Sequence, residues 1–372
     1  MRYRPMFKWA KLMSDVKAGL EGVVAFETQI AEPDREGGAL RYRGVDIEDL
    51  VGQVPYEKVW GLLVDETFEP GLPAAEPFEL QNASGAAMSD LQSATAQLSA
   101  RWGLGPLIDI TDEQAKEDLR RVSATMLSVV AQSARFADGQ TSLVPQATVE
   151  SGESAAERFL LQWRGEADPK HVIAIDTYWI CTVEHGMNAS TFTGRVAAST
   201  GADCAAALAS AVGSLSGPLH GGAPARVLPM LDAAAASDDI KKYVVNFLDS
   251  GERLMGFGHR VYRAEDPRAR LLRMAAKKLG SVRFEVAEEL ERVALEELQA
   301  RKPDRVLATN VEYWSAVVLD VAGIPGPLAP AMFATSRTGG WSAHILEQKR
   351  FGKLIRPSAK YVGPGPRPID AV

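Results

Sequence analysis

The chain has 372 residues and a formal net charge of −7 from 41 Lys and Arg against 48 Asp and Glu. That balance offers no broad basic face for a phosphate backbone and argues against a nucleic-acid partner. Its 46% hydrophobic and 24% charged content is ordinary for a globular protein with a large core, in two or three domains or one domain carrying an insertion, and no apolar run of about 18 residues is present to span a bilayer.

From the N-terminus, Met1 to Lys17 is basic and mildly apolar and reads as an exposed extension. Val23 to Ile30 and Ala39 to Arg43 are β-rich, and Pro33, Asp34, Gly37 and Gly38 between them predict a small hairpin. Phe68 to Ala100, rich in Pro, Ala, Ser and Gly, reads as a loop-rich insertion or a peripheral helix pair. Thr111 followed by Gln114 is a capping-box pattern, and Leu119, Val122, Met126, Val129 and Val130 recur at helical spacing until Gly139. Val286, Leu290, Ala294 and Leu298 make a second amphipathic stripe that ends before Pro303. Both stripes read as core faces. No βαβ alternation and no internal repeat occurs, so a mainly α fold is expected. The pair Gly256 and Gly258 lacks the third glycine and preceding strand of a dinucleotide site. Cys181 and Cys204 are too few for a disulfide framework and read as buried thiols of a cytoplasmic protein.

Three of the five histidines stand beside small residues: Glu184-His185-Gly186, His220-Gly221-Gly222 and Gly258-His259-Arg260. Histidine donates to a carbonyl oxygen or exchanges protons near neutral pH, which suits a site that polarises carbonyls. Their separations of 35 and 39 residues do not fit a metal cluster, and none belongs to a known metal-ligand spacing. His171 and His344 read as structural. Ser216 lies outside any G-x-S-x-G pattern, so a serine hydrolase is not supported.

The run from Gly256 through His259, Arg263 and Asp266 to Arg268 resembles the citrate synthase signature over its full length. The likeness continues through Gly19 to Val24, Tyr42 to Ile47, His185 to Phe192, Gly217 to Ala223, Asn310 to Ser315, Phe333 to Gly339 and Arg356-Pro357. It covers most of the chain apart from Phe68 to about Leu160. The tail Tyr361 to Arg367 and Pro224-Ala225-Arg226 are similar to the shorter second-type citrate synthases of actinobacteria.

The resemblance implies a large helical domain from residues 1–221 and 327–372, with a smaller helical domain, 222–326, inserted between them. It implies acetyl-CoA condensing with oxaloacetate and water to give citrate and CoA, with no metal and no redox cofactor. The oxaloacetate ligands would be His185, His259, Arg268, Phe333, Arg337 and Arg356, with Arg356 reaching into the other subunit of a homodimer. Two carboxylates and a ketone call for fixed cations and a donor aimed at the carbonyl oxygen, which agrees with that set.

Deprotonating a thioester methyl needs a carboxylate base and a donor to the enolate oxygen. Glu312 and His220 resemble that pair, and His259 would polarise the ketone. Aspartate is commoner in the family at the position of Glu312, and a displacement of about 1 Å can cost roughly 100-fold in rate. CoA would fall to Leu219, Arg253, Leu254, Met255, Gly256, Arg260, Arg263 and Asn310. The motifs leave open 2-methylcitrate synthase, with propionyl-CoA as donor, and a catalytically weak sensor of dicarboxylate and CoA.

Overall fold

The computed structural model describes residues 16–20, 22–34, 38–221, 226–258, 265–303 and 307–371. Most of the N-terminal extension, with Gly222 to Ala225, His259 to Ala264 and Asp304 to Val306, lies outside them.

The fold is mainly α, as the sequence predicts. A three-stranded antiparallel sheet, β1 (Ala31–Pro33), β2 (Leu40–Tyr42) and β3 (Val45–Asp46), precedes the helices. These are α1 (Ile47–Leu50), α2 (Tyr56–Asp65), α3 (Ala87–Trp102), α4 (Asp112–Ala137), α5 (Gln146–Glu150), α6 (Ala155–Arg164), α7 (Pro169–Thr182) and α8 (Ala189–Ser199). They continue with α9 (Cys204–Leu215), α10 (Val227–Ala235), α11 (Ile240–Asp249), α12 (Pro267–Lys278), α13 (Phe284–Arg301), α14 (Val311–Val321) and α15 (Ala329–Phe351).

The hairpin forms later than expected. Ala31 pairs with Tyr42 and Pro33 with Leu40, while Val23 and Val24 are exposed and outside any strand. An extended apolar run without a neighbouring strand has nothing to satisfy its backbone, so β-propensity alone does not make it a strand. Thr111 caps α4 as predicted, its Oγ1 accepting from Gln114 N at 3.1 Å, and Leu119, Val122, Met126, Val129 and Val130 are buried. In the second stripe Leu290, Ala294 and Leu298 are buried, while Val286 is half-buried.

The stretch from Phe68 to Ala100 is not a peripheral pair. Its first part is an irregular loop, and the rest lies in α3, which packs between α4 and α9 and buries Leu91, Ala94, Thr95 and Leu98. Gln132 of α4 pins the loop by accepting from Leu80 N and donating to Phe78 O, both at 2.8 Å. Those partners are backbone groups more than 50 residues away in the chain, which no periodicity reveals.

Helix α15 is buried on every side by α2, α4, α7, α8 and α9, and it buries polar residues that include Thr335, Ser336, Arg337, Ser342, His344 and Glu347. Two glycines in its middle let the end of α7 come close. A Cβ at Gly339 would meet Val183 Cγ2 at 2.7 Å, and one at Gly340 would meet Val183 O at 2.5 Å and collide with Glu184 Oε2. A mid-helix glycine costs about 1 kcal/mol against alanine, and this contact is what requires it. The approach places Glu184 and His185 beside Arg337.

Gly340→Ala is expected to destabilise the protein by about 1–3 kcal/mol through overpacking. Gly194→Ala on α8, where the nearest atom to a new Cβ is Ala211 Cβ at 3.6 Å, should be neutral or stabilising. Thermal melts of the two variants check this, and equal effects would remove the close-approach argument.

Candidate active site

The site assembles where the first turns of α12 and α14 meet α7 and α15. Asp266 caps α12, its Oδ1 accepting from Arg268 N at 3.1 Å, and its Oδ2 accepts from Val311 N at 3.1 Å. One buried carboxylate thereby ties the two helix starts together. The same carboxylate forks onto the Arg268 guanidinium, at 3.0 Å to Nε and 2.8 Å to Nη2. Such a bidentate pair fixes the plane of the guanidinium.

Asn310 builds the neighbouring turn. Its Oδ1 accepts from Glu312 N, and its Nδ2 donates to Gly258 O, both at 3.0 Å. Backbone bonds from Gly258 N to Ala308 O and from Asn310 N to Gly256 O lace residues 256–258 to the lead-in of α14. Gly256 has φ of 87°, and a Cβ there would meet Tyr313 Cβ at 2.6 Å, so this position requires glycine. Glu312 follows in the first turn, half-buried. Burial pushes its carboxyl above the ordinary glutamate range and Asp266 adds to that, while Arg268 opposes it.

His220 ends the turn after α9. Its Nε2 lies 2.9 Å from Ser190 Oγ and 3.4 Å from Ser190 N. The Ser190 hydroxyl donates to Asn188 Oδ1 at 2.8 Å and accepts from Trp341 Nε1 at 3.2 Å. A backbone N–H directed at Nε2 requires an acceptor there, which places the ring proton on Nδ1. Burial, and then the positive charge of Arg337, push the imidazole down to about 4. At neutral pH it is an uncharged ring with one donor, suited to stabilising a developing oxyanion.

Arg337 is only 3% exposed. Its guanidinium carbon stands 4.7 Å over the Phe333 ring, and that ring meets His220 edge-on at 6.3 Å. Neither Nε nor Nη1 of Arg337 has a hydrogen-bond partner among the described residues. Burial lowers its pKa, and Glu184 is the leading charge acting against that. Arg337, Arg268, Glu312, His220 and Phe333 therefore share one neighbourhood, with half-buried His185 next to Glu184. His259, Arg260 and Arg263 lie outside the described residues.

Arg356 stands apart from this group. It is exposed and borders a different cleft of about 510 Å³ with Phe26, Phe192 and Lys353. Leu219 is fully exposed beside His220, Arg253 is exposed, Met255 is half-buried, and Leu254 belongs to the core. Another cleft of about 630 Å³ behind α12 is lined by Arg273, Glu288 and Arg292. Its arginines are already paired, with Arg273 at 2.6 Å from Glu288, so it lacks an arginine with unbonded nitrogens like Arg337. Among the described residues no group of three or more His, Cys, Asp or Glu could hold a metal ion.

The profile described as "Citrate synthase, C-terminal domain" matches residues 19–358. The chain belongs to the citrate synthase family. It is 60% identical over 355 residues to "Putative citrate synthase 2" of Mycobacterium tuberculosis, covering 95% of each chain. It is 36% identical to "Citrate synthase" of Haloferax volcanii, covering 95% of this chain and 97% of that protein. Among solved structures it resembles the ternary complex of the Thermoplasma acidophilum citrate synthase with carboxymethyl coenzyme A and oxaloacetate. The TM-score is 0.80 at 27% identity, over 96% of this chain and 99% of that one.

Against this citrate synthase frame, sequence reasoning passed over Asp266 and Ser190 as site builders. The signal for Asp266 was present, since Asp followed by Pro is a helix-start pattern. Ser190 had no comparable signal, because its contact to His220 spans 30 residues.

Nitrogen-resolved NMR of His220 is expected to show no protonation between pH 8 and 5 and an inflection near the value of about 4. Because the folded pKa lies below that of the free ring, the unfolded chain takes up this proton first, and stability falls as pH drops from about 6.5 towards 4. Titration near 6.5 would refute the buried, Arg337-facing environment.

Proposed function

We propose that the chain is a citrate synthase, an acyltransferase that condenses acetyl-CoA with oxaloacetate and water to citrate and CoA. The observation that carries this reading is the buried guanidinium of Arg337, whose Nε and Nη1 have no hydrogen-bond partner among the described residues, beside Arg268, Glu312 and His220. A buried cation without hydrogen-bond partners suits a small anion, and a second buried arginine nearby suits a dianion.

Arg337 and Arg268 hold the oxaloacetate carboxylates, with His185 and Phe333 completing the pocket and His259 directed at the ketone. Glu312 takes a proton from the thioester methyl while His220 donates from Nδ1 to the enolate oxygen. The methylene carbon attacks the ketone, and water then cleaves the thioester to release citrate and CoA. Deprotonation, carbon addition and hydrolysis need no metal or redox cofactor.

Glu312 is suited to the base role because burial holds its pKa above the free value while Arg268 keeps the ionised form accessible. CoA lies along exposed Leu219 and Arg253, the backbone of Leu254, Met255 and Gly256, and the turn at Asn310, with Arg260 and Arg263 toward its phosphates. Residues 222–326 form the smaller domain, whose closure on oxaloacetate expels water. Arg356 completes the site of a second copy in a homodimer, a reading that its exposed place in a different cleft of this chain supports. The compartment is the cytoplasm. Among the described residues no helix is long and apolar enough to cross a membrane.

Thiol release from acetyl-CoA in the presence of oxaloacetate tests the reading, with propionyl-CoA in parallel to rank the donors. Glu312→Gln should lower the rate by roughly 10²–10⁴-fold. The parent rate should fall as pH drops through the raised pKa of Glu312, giving an acid limb above the free value of 4.5. Oxaloacetate binding without thiol release from either donor would overturn the enzyme and leave a sensor.

A further inference from the structure

Behind Arg337 runs a chain of buried charged groups that the chemistry above does not use. Glu184 is 0% exposed, and its Oε1 lies 3.3 Å from His344 Nε2. His344 Nδ1 faces Arg195 Nη1 at 3.0 Å. A guanidinium only donates, so Nδ1 accepts and the ring proton sits on Nε2, aimed at Glu184. Arg195 has its own countercharge in Glu347 at 2.5 Å and donates to Gln348 Oε1 at 3.1 Å. His344 therefore gives Glu184 a hydrogen bond that fixes its rotamer rather than a matching charge.

The other carboxylate oxygen, Glu184 Oε2, has no hydrogen-bond partner among the described residues, and neither do Nε and Nη1 of Arg337. Gly340, one turn beyond Arg337 on α15, leaves the space that Glu184 Oε2 occupies. Glu184, just past the end of α7, thus packs its unbonded oxygen against α15 one turn from Arg337, near enough to be the leading charge acting on that arginine.

We infer that Glu184 is the resident countercharge of Arg337, a positioning residue that stabilises the buried guanidinium before a dicarboxylate arrives and opposes that dicarboxylate once it is bound. The inference rests on the reading of Arg337 as an oxaloacetate ligand. A carboxylate too far away to hydrogen-bond balances the charge without occupying the N–H donors, which stay available to the substrate. The consequence is weaker binding than an uncompensated arginine would give.

Glu184→Gln keeps an acceptor for His344 and removes the charge. Calorimetric titration with oxaloacetate should give a Kd lower by on the order of tenfold, within the usual range of coupling between sites, while the ligand-free Tm falls. An unchanged or raised Kd overturns the inference, since a residue that only packs would lower Tm alone. The double variant Glu184→Gln/Arg337→Met removes both charges and tests the pairing with no ligand present, because stranding one partner of a buried pair is what destabilises. Its ligand-free Tm, or its folded yield where Glu184→Gln alone does not fold, should exceed that of the single variant, and losses that simply add overturn the countercharge. Failure of the parent chain to bind oxaloacetate sinks the proposed function instead, and the ligand-free comparison still decides whether the two charges are paired.

Discussion

Arg337 sits 3% exposed in the middle of α15, a long helix buried on every side, with two nitrogens that no described group bonds. Taking a guanidinium out of water costs several kcal/mol even after relaxation. Much of the surrounding architecture makes sense as the means of tolerating that cost. The Phe333 face, the negative charge of Glu184 and the end of α7 all converge on this side chain. The same cation reaches outward, since it is one reason the His220 ring stays uncharged.

The close approach of α7 to α15 is the packing counterpart of that electrostatic choice. Gly339 and Gly340 give up helix propensity so that Val183 and Glu184 can touch the helix backbone. Tyr56 OH, donating to backbone carbonyls in the same helix at 3.0 and 2.9 Å, and Thr182 Oγ1, donating to Ser336 Oγ at 2.9 Å, satisfy polar groups that a uniformly apolar core helix would not have. On the opposite wall, Asp266 spends one carboxylate on two helix starts and on Arg268. The two arginines are thus held by different devices, one by a bidentate carboxylate and one by burial beside an unbonded charge.

Much of this was legible in the sequence. Helix α4 was readable because capping and spacing are local, and Arg268, Arg337, Glu312 and His220 because a family motif carries them. What could not be read depends on contacts distant in the chain. The first strand shifted because Val23 and Val24 have no partner strand, and α3 proved central because Gln132 and Asp90 tie its surroundings down through loop backbone. The roles of Ser190, Glu184 and His344 follow from neighbours 30 and 160 residues away. The double glycine of α15 was visible as sequence, but its meaning needs Val183 and Glu184 in place.

The most direct measurement is oxaloacetate binding to Arg337→Met by calorimetry, alongside the thermal stability of the ligand-free protein. Replacing this buried cation by an apolar side chain of similar length is expected to leave a folded protein with a lowered Tm, because Glu184 loses its countercharge, while binding weakens by roughly 100-fold or more, as loss of a charged contact at 2–5 kcal/mol requires. A folded Arg337→Met variant that binds oxaloacetate as tightly as the parent would contradict the account at its centre.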